Sequence, residues 1–372
     1  MKQLQFCAPC LFGVEGVLGD ELRRMGAEGV TPQNGRVIFA GDDALLARAN
    51  INSRYAERIQ ILMGTFRATS FEELFQGVRA LPWEEFIAVK DAFPVKGWSL
   101  NSALHSIPDC QSIVKKAIVE RLKSRYGVGW FEETSAIVQV QFTILKDEVM
   151  LLIDTSGVGL HKRGYRQNAG GAPMKETLAA AIVDVTRARL AEQVVDPCCG
   201  SGTLLIESAL AARRVAPGIR RRFAAMQWGW MSEAVWKEER ERAMSQMLLD
   251  RAFSAKGSDI DPEAVRLTQE NAAKAGVGVQ VRAVQRDLRE FRPEGESGVV
   301  LCNPPYGERL LDVEAARKLY RVMGDVFVPK KGWSYAIISP DETFETSFGR
   351  KADKRRKLYN GMLKCQLYIY YR

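Results

Sequence analysis

From about residue 175 onward the chain alternates short apolar runs with amphipathic stretches, and this alternation constrains the fold more than any other feature. QVVDP, AKGSDI, VQVRAVQRDL, SGVVLCNPP, SYAIISP and CQLYIYY read as strands. KETLAAAIVDVTRARL, TLLIESALAARR, PEAVRLTQENAAKAG and AARKLYRVMGDVF read as the intervening helices. Parallel strands need crossovers, so this pattern predicts an α/β, Rossmann-like, doubly wound and mostly parallel sheet. Such sheets bind ligands beyond the carboxyl ends of their strands.

The first part of the chain is built differently. LQFCAPCLF, RVIFAG and RIQILMGTFRA read as strands, and AIVQVQFTIL with EVMLLIDTSG as a hairpin about Lys146-Asp147. VEGVLGDELRRMG, SFEELFQGVRALPWEEF (capped by Ser70) and SIVKKAIVERLKSRYG read as helices, and Gly41-Asp42-Asp43 opens another. The expectation is an α+β half in two units, residues 1–60 and 61–155. Residues 156–175 then form a linker, since SGVGLHKRGYRQNAGGAP holds five glycines and no periodic apolar face. Residues 176–372 form the α/β domain.

At 372 residues, the length suits two or three domains. A composition of 46% hydrophobic and 26% charged residues argues against disorder. No apolar run approaches the roughly 18 residues of a membrane span. Glu15 interrupts what a secretory leader would keep uncharged, so the chain reads as cytoplasmic. Seven scattered cysteines give no disulfide framework, and a lone Cys7-x-x-Cys10 with two histidines in the chain gives no metal site. Charge is uneven: residues 1–155 hold 17 Lys and Arg against 19 Asp and Glu, whereas residues 156–372 hold 36 against 26. That asymmetry points to a polyanionic partner for the second half.

Three segments carry chemistry. In VVDPCCGSGT, Asp196 ends a strand and Gly200 and Gly202 let backbone approach a ligand, yet the spacing fits neither a dinucleotide fingerprint nor a P-loop. In GSDIDPEAV, Asp259 stands at the next strand end, where nucleoside-binding sheets grip ribose hydroxyls, and Asp261 reads as a helix cap before Pro262. Asp287 follows the third strand, as an adenine-amine acceptor or a loop carboxylate. The third segment is VVLCNPPYGERL. Two prolines without N–H groups leave carbonyls free as acceptors, so Asn303 and Pro304 can take both hydrogens of a planar exocyclic amine. Tyr306 can stack on the base that carries it.

DPCCGSGT, GSDID, RDL and NPPYGERL, in this order, resemble the AdoMet-dependent class I methyltransferases that modify exocyclic amines of bases. GLHKRGYRQNAGGAPMKETLAAAIV resembles the signature of THUMP-domain RNA methyltransferases, most nearly the RlmL-type enzymes that methylate guanine N2 in 23S rRNA. The resemblance implies a ferredoxin-like unit and a THUMP domain in the first half, a seven-stranded sheet in the second, and S-adenosyl-L-methionine as cofactor. The enterobacterial form of this family carries a second methyltransferase domain, so only the first activity is carried over. The resemblance places Asp196, Pro197, Cys198, Gly200, Ser201, Gly202 and Thr203 around the methionine part of the cofactor. It places Asp259 and Ile260 at the ribose, Asp287 and Leu288 at the adenine, and Asn303, Pro304, Pro305 and Tyr306 at the target amine. Pro173, Lys175, Glu176 and Thr177 match the helix start that closes the cofactor site.

For RNA, the expected contacts are Lys115, Lys116 and Lys123 in the THUMP region and Arg163 and Arg166 in the linker. Arg309 and the basic run at Lys354, Arg355 and Arg356 complete them. Trp228, Trp230 and Trp333 read as core. The alternatives are a tRNA guanine-N2 enzyme, a DNA adenine-N6 methyltransferase sharing Asn-Pro-Pro-Tyr, and an RNA-binding assembly factor with a vestigial pocket. No DNA-reading motif supports the second, and the complete Asn303-Pro304-Pro305-Tyr306 run opposes the third.

Overall fold

A computed structural model describes residues 3–166, 174–306 and 313–371. The first half runs β1 (Leu4–Pro9), α1 (Glu15–Arg24), β2 (Glu28–Gln33), β3 (Arg36–Gly41), α2 (Asp43–Asn52), β4 (Gln60–Arg67), α3 (Phe71–Ala80), β5 (Val95–Leu100), α4 (Ile107–Tyr126), β6 (Val140–Leu145) and β7 (Glu148–Asp154). Its strands form one sheet in the order β2-β3-β1-β4-β7-β6-β5. Residues 1–60 and 61–155 share that sheet because β1 pairs with β4, Phe6 opposite Ile61. Ser70 caps α3 through a reciprocal box with Glu73. Helix α4 starts earlier than its apolar face suggests, with Pro108 in its first turn, and stops at Gly127, whose φ is +68°.

The second half runs α5 (Glu176–Val185), β8 (Gln193–Asp196), α6 (Thr203–Ala212), α7 (Glu233–Ser245), β9 (Ser254–Asp259), α8 (Pro262–Ala275), β10 (Val281–Gln285), β11 (Gly298–Cys302), α9 (Val313–Val326), β12 (Trp333–Ser339), α10 (Phe344–Phe348), β13 (Lys354–Asn360) and β14 (Leu363–Tyr370). Its seven strands take the order β10-β9-β8-β11-β12-β14-β13. The first five are parallel, and β14 runs antiparallel to both of its neighbours. Two apolar cores result. One is continuous with the first half and includes α5 and α6; the other lies under α9 and α10. Trp228 and Trp333 are core as expected, and Trp230 packs on Phe86 and Trp228.

Five elements lie outside the expected set: β2, β5, β13, α7 and α10. The three strands are sheet edges. Edge strands are often short and carry charged residues or Pro, which blurs an apolar pattern. In β5 the alternation is inverted, since Trp98 and Leu100 face out while Gly97 and Ser99 face in. Helix α7 is charged along most of its length and buries only Trp236, Glu239 and Ala243.

A buried polar network joins the halves. Glu21 accepts from Ser53 Oγ (2.7 Å) and the Arg54 amide (2.9 Å), and Arg54 Nη2 donates to the Val215 carbonyl at 2.8 Å. Arg163 donates to the Leu160 and Arg54 carbonyls and lies 3.6 Å from Glu207 of α6. Glu207 also accepts from the Tyr165 hydroxyl at 3.1 Å. Arg163 therefore corrects an expectation: its guanidinium is buried against carbonyls and a carboxylate, out of reach of RNA phosphate. Replacing it by Ala strands Glu207 in the interior, and breaking one side of a buried pair costs about 3–5 kcal/mol. Urea unfolding of Arg163→Ala should show a loss of that size. The exposed Arg222→Ala should change stability by no more than about 0.5 kcal/mol.

Candidate active site

The site forms where the strand order reverses. From β8 the chain crosses to β9 and β10, and from β11 it crosses the other way to β12. Right-handed crossovers put α6 and α8 on one face and α9 on the other. The loops after β8 and β11 therefore part and leave a crevice at the carboxyl edge. A cavity of about 790 Å³ occupies it, and Asp196, Asp259, Asp287 and Asn303, from four successive strand ends, all reach its wall.

The loop from β8 into α6 is held from three sides. The Cys199 amide donates to the Ser258 carbonyl (3.0 Å), Thr268 Oγ1 donates to the Gly200 carbonyl (2.9 Å), and Asn271 Nδ2 donates to the Ser201 carbonyl (3.0 Å). Gly200 and Gly202 have φ of +53° and +79°, which L side chains rarely adopt. A Cβ on Gly202 would also stand 2.8 Å from the Thr268 methyl. The loop thus feeds the amino end of α6, with its partial positive charge, into the cavity.

The carboxylates differ in state. Asp196 is 2% exposed, and its Oδ1 accepts the Cys198 amide at 3.1 Å. Burial pushes its acid up to about 8, and neighbouring Asp259 pushes the same way. Asp259 accepts the Gly200 amide on Oδ2 (2.9 Å) and the Asp261 amide on Oδ1 (3.1 Å), so it ties the two loops together. Asp261 caps α8 through the Glu263 amide, and Glu263 is held by Arg266. Hydrogen bonds from the Arg289 side chain hold Asp287 down to about 2.

After β11 the chain enters Asn303-Pro304-Pro305-Tyr306. Asn303 Oδ1 is buried, with no hydrogen-bond partner among the described residues. Tyr306 is also buried, and its hydroxyl accepts from Asn360 Nδ2 at 2.7 Å. The Cys302 thiol is pushed well up by burial and is a poor nucleophile. An orphaned acceptor and a buried acid with no cation paired to it among the described residues suit a ligand carrying positive charge and N–H donors. S-adenosyl-L-methionine fits that demand. Among the described residues no group could hold a metal ion.

The cavity wall brings together Asp196, Pro197, Cys198, Gly200, Ser201, Thr203, Asp259, Ile260, Asp287, Leu288 and Asn303 through Tyr306. Gly202 sits behind it against Thr268. Lys175 and Thr177 face elsewhere, both held by Glu57 (2.9 and 2.6 Å), and Glu176 is buried beside Arg166 at 3.1 Å. These residues fasten the start of α5 to the first half, an indirect support of the cavity. Pro173 and Arg309 lie outside the described residues.

Among the expected RNA contacts, Lys115 is committed to Glu133 (2.6 Å) and lies over the Phe93 ring. Lys123 lies 3.9 Å from Glu120, and Lys116 is exposed. Arg166 donates to the Met174 carbonyl beside the cavity. Lys354, Arg355 and Arg356 are exposed on edge strand β13, Arg355 in a pair with Glu345. Sequence reasoning missed Met174, Lys318 and Asn360 on the cavity wall. Asn360 sits in a Tyr-Asn-Gly turn that signals only a bend.

Comparison with known proteins places this architecture. Residues 163–369 match the RMKL-like methyltransferase domain, residues 5–60 the RlmL ferredoxin-like domain, and residues 68–154 the THUMP domain. The "Putative RNA methyltransferase YpsC" of Bacillus subtilis is 43% identical over 100% of this chain and 97% of its own length. The "Ribosomal RNA large subunit methyltransferase K/L" of Cellvibrio japonicus is 33% identical over 98% of this chain, which spans 51% of that protein. The crystal structure of SMU.472, a putative methyltransferase complexed with SAH, superposes with a TM-score of 0.95 at 42% identity, covering 100% of this chain and 98% of its own. The chain thus belongs to the RMKL-like family of S-adenosyl-L-methionine-dependent methyltransferases, with an RlmL-type ferredoxin-like domain and a THUMP domain ahead of the catalytic one.

Proposed function

We propose that this protein methylates the exocyclic N2 amine of a guanosine in RNA, with 23S rRNA as the substrate. The observation that carries the reading is the unpartnered, buried Asn303 Oδ1 at the end of β11, on the same cavity as Asp196 and Asp259. Asn303 Oδ1 and the Pro304 carbonyl each accept one hydrogen of the amine. Those bonds draw its lone pair out of the ring system and leave it directed at the incoming methyl. The cofactor supplies that methyl as an electrophile, so no side chain needs to act as a nucleophile. Tyr306 supports the plane of the base, and the departing amine proton is lost to solvent.

RNA is favoured over DNA by the THUMP domain and by the names of the Bacillus subtilis and Cellvibrio japonicus relatives, and large-subunit rRNA by the K/L relative. Of the cations expected to meet RNA, Lys116, Lys354 and Arg356 are exposed and could face phosphate. A strain lacking the gene tests the reading by nucleoside mass mapping and primer extension. Loss of N2-methylguanosine from 23S rRNA supports it; loss from tRNA, or of N6-methyladenine from DNA, overturns the assignment.

Two variants probe the chemistry. Asn303→Ala removes a bond made to the reacting amine and should lower single-turnover rate about 10²–10³-fold, as for other lost transition-state donors and acceptors. Calorimetric affinity for AdoMet should stay near wild type. A rate within about threefold of wild type removes Asn303 from the reaction. The second variant concerns pH. Asp196 keeps its proton up to about 8, and a cationic ligand favours its ionised form. Below that value binding must expel the proton, so affinity should rise with pH by up to about tenfold per unit and level off above it. Asp196→Asn should lack that slope. Equal slopes for the two proteins would show that Asp196 does not meet the positive charge of the cofactor.

A further inference from the structure

Asn360 is a buried polar residue with one visible purpose. It ends β13, 54 positions beyond Tyr306, and donates Nδ2 to the Tyr306 hydroxyl at 2.7 Å. Only 5% of Asn360 is exposed. Its carbon framework could be replaced by that of Leu at similar volume, and a buried amide is unfavourable without its hydrogen bond. Its place is set independently of the Asn-Pro-Pro-Tyr turn. Asn360 pairs with Leu363 at the close of the β13–β14 hairpin, where Gly361 takes a φ of +67°. The same strand is held from the other half of the protein: the Phe12 ring meets Tyr359 edge-on at 5.7 Å. The loop at Gly13 presses so closely on β13 that a Cβ there would lie 2.5 Å from the Lys357 carbonyl.

We propose that Asn360 is the positioning residue for Tyr306: it fixes the ring against the target base from a hairpin that is itself seated on the N-terminal half. The inference rests on the reading above that Tyr306 meets the base. Asn360 reaches the cavity wall, and in this scheme its effect passes through the Tyr306 hydroxyl, so removing either partner of the bond takes the same restraint from the ring.

The test is a double-mutant cycle on the full chain, with Asn360→Leu, Tyr306→Phe and both together, and Tyr306→Ala as the control on the reading. Single-turnover methylation at saturating RNA and AdoMet is followed, alongside calorimetric AdoMet affinity and the thermal midpoint. Each single variant should lose roughly three- to tenfold in rate, the size of one hydrogen bond, with AdoMet affinity unchanged. The double variant should be no slower than the slower single. Asn360→Asp, which can accept the Tyr306 proton, should recover most of the rate. Losses that multiply in the double variant overturn the proposal, because they show two independent effects. So does a wild-type rate for Tyr306→Phe, an outcome that does not depend on how Asn360 variants fold. Wild-type activity in Tyr306→Ala would instead refute the reading of Tyr306 itself. An inactive Tyr306→Ala beside a silent Asn360→Leu would refute the positioning role alone.

Discussion

Everything the site does depends on β8 and β11 lying side by side and parallel while their onward connections leave in opposite directions. The pairing of Val195 with Val300 brings Asp196 and Asn303 to the same edge of the sheet, although 107 positions separate them in sequence.

 Each of the two loops is then free to carry its own chemistry, in the proposed reading one for the cofactor's charged end and the other for the amine. The glycines and prolines are distributed accordingly. Gly200 and Gly202 let backbone turn where a side chain would be strained, and Pro304 and Pro305 remove donors where acceptors are wanted.

That arrangement has an energetic cost carried by Asp196. In the folded chain its acid holds a proton up to about 8, whereas an unfolded aspartate releases its proton near 4. Between those values the unfolded chain binds fewer protons, so stability declines as pH rises through the window. A cationic ligand beside Asp196 offsets the decline by stabilising the ionised form. The acid is thus a group whose burial suits the bound state better than the free one. Asp259 is held differently, with the Gly200 and Asp261 amides each donating to one of its oxygens.

What could be read from the sequence follows from where side chains point. The central strands β8, β11 and β12 carry apolar runs, and β8, β9 and β11 lead into Asp196, Asp259 and Asn303, so both the sheet and the cavity wall were legible. The edges β2, β5 and β13 carry Gly, Pro or consecutive cations where one flank meets solvent, and no period marks them. Lys175 and Thr177 stand in the right stretch of chain, but Glu57 turns them towards the first half, and a contact across 118 and 120 positions leaves no local pattern. Asn360 was illegible for the same reason. Its role is defined by a phenol from another loop, and its own neighbours announce only a hairpin turn.

Charge counting illustrates the limit most sharply. The excess of cations in residues 156–372 suggested a broad RNA-facing surface, yet many of those arginines point inward. Arg213 and Arg251 donate to the Leu249 and Ala212 carbonyls, and Arg221 to those of Val158 and Leu160. Arg240 reaches the carbonyls of Ile219 and Arg221. A guanidinium offers five donors in a planar fork and can satisfy several carbonyls at once, which suits it to irregular segments between helices. The segment from 213 to 223 is such a stretch, and Arg213 and Arg221 act there first as fasteners of backbone. Cations on β13 are different, because an exposed edge strand has few carbonyls in reach of its outward side chains. Fewer cations are thus free at the surface than the net charge implies, and β13, which also ends in Asn360, carries both a run of exposed cations and the hydrogen-bond partner of Tyr306.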